Sequence, residues 1–568
     1  MRRVSVLFAT ALALLLAAPA SAAGGDVLVS NGSPTGPFSQ NKQNEPAMAI
    51  DANHPNVVVA GSNDEIDEEA CNAGNPVKCP FTAGIGVSGF YYSNDSGKSW
   101  TQPTYTGWTA RKCLGPAVCA AAVGSIGTLP WYFENGLVSD GDPAMAFGPK
   151  PGPNGFAWAN GSRLYYANLT SNFPGTKTFA GFEAIAVSRT DDAAAAAAGT
   201  KSAWKPPVLV SMQSQTTFSD KEQVWADNAS SSPFFGSVYI CWASFRGQEK
   251  SPNASPAPML VAVSSDGGTT WTQQLVSPAA NNRNVNPMDG CTVRTDSKGN
   301  AYVFGIAKSA GSAPFEFMSM SSNGGQTWSS QNPVVGPVSQ PGVFDPVLGR
   351  PTIDGIAGAR SDLAPAPSVD IANGAPDGSG ATDRIVMSYV SGTINSQHVF
   401  FTESTDQGTS WSTPSAVESA GDHGYYTAPA ISPDGKNVYV VYNAFTTTYQ
   451  TDTKSPRLLV GVLLHASVGP LGTGKFAEVH RGAPGDARAS SQNNLVGEFL
   501  GDYVYAAATR TYGTAVWNDT RNAVDCPAID AWRLFLRNGG TIVPRPAPQQ
   551  DCPATFGNSD IYGFTTAP

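Results

Sequence analysis

Charged side chains are sparse in this sequence: Asp, Glu, Lys and Arg make up 14% of 568 residues. Those present lean acidic, and Lys and Arg are not clustered. That excludes nucleic acid as a partner, because phosphate binding needs a basic patch. Histidine occurs five times and no Cys-x-x-Cys pair exists, so no metal site of the zinc type is expected. Long stretches of helical apolar spacing are missing; the alanine run 193–198 is the one short helix-like piece. Beyond the N-terminus, no stretch reaches the ~20 apolar residues of a membrane span.

The N-terminus reads "MRRVSVLFATALALLLAAPASAAGG". Arg2 and Arg3 precede an apolar run from Val4 to Ala18, and small residues follow near Ala22 and Ala23. This is the pattern of a secretory signal peptide over 1–23, leaving one domain over 24–568. Without the two signal arginines, 32 basic side chains face 44 acidic ones, a net charge of −12. The expectation is a secreted monomer, extracellular or periplasmic. Export permits disulfides among the eight cysteines. Cys71/Cys79 and Cys113/Cys119 are close enough in sequence to clip local loops. Cys241/Cys291 and Cys526/Cys552 are further candidate pairs that spacing alone does not fix.

What the chain has in abundance is glycine, proline and short alternating apolar runs, an all-β composition rich in turns. The runs repeat. A first run reads "EPAMAID", "DPAMAFG", "KEQVWAD", "GCTVRTD", "PSVDIAN", "APAISPD" and "YVYAAAT". A second reads "NVVVAGS", "RLYYANL", "SVYICWA", "NAYVFGI", "RIVMSYV", "NVYVVYN" and "GTAVWND". A third includes "GFYYSND", "MLVAVSS" and, in the last copy, "WRLFLRN". A fourth, poorly patterned strand follows. Seven copies of a four-strand antiparallel meander predict a β-propeller, with six blades as the alternative. Either "DVLVSN" or "GTIVPR" could complete the last blade.

Four copies end their third run in a box: "SNDSGKSW" at 93–100, "SSDGGTTW" at 264–271, "SSNGGQTW" at 321–328 and "STDQGTSW" at 404–411. The box is a hairpin device. Asp95 or Asp266 can accept hydrogen bonds from turn amides two residues on, Gly268 supplies a positive φ, and Trp271 buries a ring between blades. This pattern resembles the Asp-box (BNR) repeat of the sialidase superfamily of propellers, over nearly the whole chain after the signal. The resemblance implies the fold; function depends on the site grafted onto it.

In a meander blade the box turns share one face with the first-to-second turns. The opposite face carries the second-to-third loops and the crossovers, and here those are long, as in 62–84 and 101–141. Acids and amides cluster at the predicted inner positions of that face: Glu45, Asp142, Asp220, Glu222, Asp289, Glu498 and Asp502, with Asn63, Asp64, Asn443 and Asp519. Carboxylates facing one another near an axis should have raised pKa values, as a general acid requires.

Sialidases hold the substrate carboxylate with three arginines and use a Tyr nucleophile paired with a Glu and an Asp acid/base. The resemblance therefore implies Arg246, Arg350 and Arg521 as carboxylate ligands. It implies Asp64 as acid/base, Tyr503 (or Tyr426) as nucleophile, and Glu222 or Glu498 as its partner. Asp142, Asp289 and Asp519 are further substrate-binding candidates. The family's early Phe/Tyr-Arg-Ile-Pro motif is absent; the matching region "SQNKQNEPAMAID" carries Glu45-Pro46. The implied activity is retaining hydrolysis of terminal acidic sugars on glycans, with no required cofactor. The alternative is a non-catalytic propeller binding glycan, protein or calcium on the same face, with a structural calcium possible in either case.

Overall fold

The computed structural model describes residues 25–30, 36, 38–79, 81–211, 214–246, 258–276, 288–307, 313–541 and 544–567, with only the backbone of Arg246 and Met288. The expected signal peptide lies outside these residues. Seven small antiparallel sheets surround one axis. Their inner strands are Gln43–Ile50, Ala144–Pro149, Thr217–Ala226, Met288–Thr295, Ser368–Ile371, His423–Ile431 and Tyr505–Ala508. They define blades 1 to 7 in chain order. This is the all-β propeller that the repeats predict, and it has seven blades.

Blade 7 closes the ring with both ends of the chain. Tyr505–Ala508 pairs with Gly513–Asp519, which pairs with Asp560–Thr565, and Val27–Leu28 adds the outermost strand. "DVLVSN" therefore supplies the outermost strand of the blade, while the middle of "GTIVPR" lies outside the described residues. The expected third strand "WRLFLRN" is a correction. It lies in the helix Pro527–Arg537, inserted between the second and third strands. Its alternating reading was misleading because Ile529, Trp532 and Leu536 also recur at helical spacing. Ile529 and Trp532 are buried against Phe38, Leu495 and Phe556, a small core beside the blades.

Each box packs its blade against the preceding one. Gly97, Gly268, Gly325 and Gly408 have φ of 80°, 81°, 81° and 79°. A Cβ on each would meet a neighbouring blade: Thr565, Arg189, Val263 and Met318 respectively. The box serine hydroxyl accepts that glycine's N–H at 2.8–2.9 Å in all four copies. The Asp or Asn accepts amides three and four residues on, not two: Asp95 from Lys98 and Ser99, Asp266 from Thr269 and Thr270. Trp100, Trp271 and Trp411 donate their indole N–H to the box glycine carbonyl at 3.1–3.2 Å. The first-to-second turn shares this face, since Ser96 N–H donates to Asn56 O at 2.9 Å.

All four cysteine pairs form: Cys71–Cys79, Cys113–Cys119, Cys241–Cys291 and Cys526–Cys552. Cys241–Cys291 ties blade 3 to blade 4. Among the described residues no helix is long and apolar enough to cross a membrane.

Candidate active site on the propeller axis

The inner strands do not run straight to the face opposite the boxes. Pairing with the second strand slips between Asn44 and Ala47, between Asp220 and Gln223, and between Asp289 and Thr292. Each slip is a bulge that changes which way side chains point. The residue at the bulge has a positive φ: Glu45 at 55°, Lys221 at 59° and Gly290 at 59°, with Asp142 at 51° just before the blade 2 strand. Three of these four carry bulky side chains in a backbone region that disfavours them, a strain that clusters at functional sites. In blade 7 a glycine, Gly501 (φ 79°), stands before Asp502 and Tyr503.

The outcome is a charged knot on the axis. Lys221 Nζ donates to Asp142 Oδ2 at 2.7 Å and lies 2.9 Å from Asp502 Oδ2, 3.7 Å from Glu45 and 3.8 Å from Asp220. Arg360, from the crossover between blades 4 and 5, grips Asp502 with Nε at 2.8 Å and Nη2 at 2.5 Å. Its Nη2 also reaches Glu45 Oε1 at 3.1 Å. Tyr426 Oη donates to Asp502 Oδ1 at 3.0 Å, and Asn63 Nδ2 to Glu45 Oε2 at 2.7 Å. Beside the knot lies a cavity of about 70 Å³ whose walls include Lys221, Glu222, Tyr426, Asp502 and Tyr503. Lys221 Nζ stands 5.5 Å from the Tyr503 ring centre.

The carboxyls of this group divide by charge state. Burial, helped by Asp142, pushes Glu45 well above the usual carboxylate range. Burial acts on Asp142 in the same sense, but Lys221 and a hydrogen bond from Glu45 outweigh it and hold Asp142 low. Asp502 is likewise held low against burial by Arg360 and Lys221. Burial raises Asp220 to about 6, with Lys221 opposing and Asp142 adding. Burial and the charge of Asp220 raise Asp289 to about 7. Glu222 is fully buried, its oxygens accept no hydrogen bond from another described residue, and burial with Asp142 pushes it well up. Tyr503 is pushed up by burial and by the surrounding carboxylates.

Of the residues expected from sequence, Glu45, Asn63, Asp142, Asp220, Glu222, Asp289, Tyr426, Asp502 and Tyr503 come together here. The others stand elsewhere. Asp64 is a buried anchor of the first top loop, accepting from Gln43, Tyr91, Gln102 and the Ile66 amide. Glu498 accepts from the buried Arg457 at 2.5 Å under the blade 6 loops. Asp519 holds Arg521 at 2.7 Å, and Arg521 also meets Asp26 at 2.6 Å and stacks on Tyr562. Arg350 sits on a hairpin, paired with Asp362 at 2.8 Å. Arg246 ends the second strand of blade 3, and its side chain lies outside the described residues. Sequence reasoning missed the two cations that organise the knot. Lys221 sits inside the acidic "SDKEQ" but needs the bulge to turn inward. Arg360 is one arginine in a long crossover, with no local signal. Among the described residues no group of three or more His, Cys, Asp or Glu is arranged to hold a metal.

No protein-family model and no curated protein matches this chain. Solved structures do resemble it in fold. A Hadza microbial sialidase is 12% identical over 71% of this chain and 63% of its own, with a TM-score of 0.39. A leech intramolecular trans-sialidase is 12% identical over 75% and 67%, with a TM-score of 0.41. A Dyadobacter fermentans protein of unknown function is 13% identical over 78% and 98%, with a TM-score of 0.38. The chain spans just under two thirds of the length of the first. The chain itself is a propeller of seven blades, with box hairpins on one face and, toward the other, a pocket beside the charged knot.

Proposed function

We propose that the protein is a glycoside hydrolase that takes the end of a glycan into the axial pocket. The observation that carries this reading is the pair Asp220 and Asp289. They occupy matching bulge positions on neighbouring blades, neither is fully buried, and they are raised to about 6 and about 7. Two carboxyls titrating near neutrality can divide the acid and base roles, one giving a proton to a leaving oxygen while the other takes one from water. Tyr503 and Glu222, beside them, supply a hydroxyl and a carboxyl for sugar contacts. Lys221 and Arg360 are met by the ionised Asp142 and Asp502, so the pocket has no surplus positive charge for an acidic sugar. A neutral terminal sugar fits this balance better. Four disulfides fit an oxidising, extracellular setting.

The test is a panel of fluorogenic glycosides, neutral sugars beside a sialic-acid glycoside, with Asp289→Asn as control. Turnover of a neutral glycoside that Asp289→Asn lowers by about 10²-fold or more supports the reading. Turnover of the sialic-acid glycoside alone would restore the acidic-sugar substrate. Binding on a glycan array with no turnover anywhere would favour a non-catalytic propeller; the self-compensated Lys221–Asp142–Asp502 knot is the observation on that side.

A further inference from the structure

At the opposite end of the axis lies a second, larger chamber of about 240 Å³. Every inner strand reaches it. Its walls are largely apolar, from Met48, Ile50, Met145, Phe147, Trp225 and Ile431. Tyr505 lines both this chamber and the active-site pocket, and its hydroxyl crosses to Gln223 Oε1 at 2.5 Å, partitioning the axis. The other end is covered by the blade 5 turn at 373–380. That turn is fastened to four other blades. Asn373 donates to Asn228 at 2.8 Å, and Gly374 N–H donates to Pro433 O at 2.9 Å. Pro376 O accepts from the Ser230 amide and the Trp158 indole. Arg510 donates to the carbonyls of Gly374 and Ser379 at 3.1 and 2.7 Å.

Of the two cations in the wall, one is buried. Arg294 is buried, with its guanidinium 4.7 Å from the Trp225 ring centre. Its Nη1 donates to Val293 O. Its Nε makes no hydrogen bond among the described residues and stands 3.5 Å from Asp370 Oδ1. The charged residues in the wall are Arg294, Arg510 and Asp370, and Arg510 also lies 4.0 Å from Asp377 outside the wall.

The geometry points to a second binding site in this chamber for a small amphiphilic monoanion, with its carboxylate on Arg294 and its aromatic or alkyl body among the methionines. A buried guanidinium whose carboxylate partner stands as far off as 3.5 Å can take a second carboxylate through charge-assisted bonds. Methionines adapt their shape to an apolar body. An apolar cavity of about 150 Å³ is known to take up benzene, so this one has room for a fused two-ring acid. The site does not depend on the chemistry of the other face.

The test uses the full-length protein and 2-naphthoate, followed by quenching of tryptophan fluorescence and by calorimetry. One-to-one binding is expected, weakened at least tenfold for the neutral isostere 2-naphthamide and at least tenfold in Arg294→Met. A second measurement stands even if that variant does not fold: crystals of the unaltered protein soaked in 6-bromo-2-naphthoate should show the bromine between Met48 and Met145. No binding, equal affinity for acid and amide, or bromine outside the chamber would each overturn the proposal.

Discussion

Lys221 Nζ lies 2.7 Å from Asp142 Oδ2, an ammonium from blade 3 fastened to a carboxylate from blade 2. Asp502 of blade 7 approaches the same ammonium at 2.9 Å. Blades 2 and 3, which follow one another in the chain, and blade 7, distant from both, are thereby tied at the axis by one ammonium, next to the carboxyls proposed to do the chemistry.

Replacing Lys221 with Met should therefore cost stability. It leaves Asp142 and Asp502 buried with one cation fewer, a loss of about 3–5 kcal/mol for a broken buried pair. Urea unfolding of the variant against the parent measures it. An unchanged midpoint would mean that water reaches these acids and the knot contributes nothing.

The raised carboxyls give a pH dependence of definite sign. Asp220 and Asp289 titrate at about 6 and about 7 in the folded chain, against ~3.9 when unfolded. Their contribution is complete below pH ~4 and is lost as pH rises through 6 and 7. Asp142 and Asp502 are depressed and act oppositely, but only below pH ~4. Unfolding midpoints at pH 5 and pH 8 should differ less in Asp289→Asn than in the parent. If turnover is found, its rate should depend on ionisations in the same 6–7 range.

Gly268→Ala should destabilise the chain by about 1–3 kcal/mol. The position needs φ of 81°, and the new methyl would lie 2.9 Å from Arg189 Cδ of blade 2. Ser264→Ala, which loses the hydroxyl that accepts the Gly268 amide, should cost ~1 kcal/mol. Thermal unfolding of both variants checks the order; a milder effect for Gly268→Ala would contradict the role given to the left-handed turn.

Arg521→Met separates fold from function. Arg521 joins Asp519 of blade 7 to Asp26 beside the closing strand, away from the axial pocket. The variant should unfold more easily yet turn over substrate, per folded molecule, like the parent. A specific loss of activity with unchanged stability would return Arg521 to the substrate site.

Much of the architecture was legible beforehand. Alternating runs such as "NVYVVYN" carry the strand period, and the boxes announce third-to-fourth turns because a serine, an acid and a glycine at those offsets close one hairpin. Blade 7 is less legible. "WRLFLRN" satisfies both periods over so short a span, and only the buried face of the helix, packed against Phe38 and Leu495, decides between them.

Sequence alone determined the propeller and the face on which its acids gather, because strand alternation and turn chemistry are local. Which acids meet was decided by tertiary structure. A bulge at Lys221 reverses the phase of the strand, and no propensity marks it. Arg360 reaches Asp502 across 142 residues, a contact created only when the ring closes. Charge state followed from that closure, since the same Asp side chain is held low at Asp142 and pushed up at Asp289 by its neighbours.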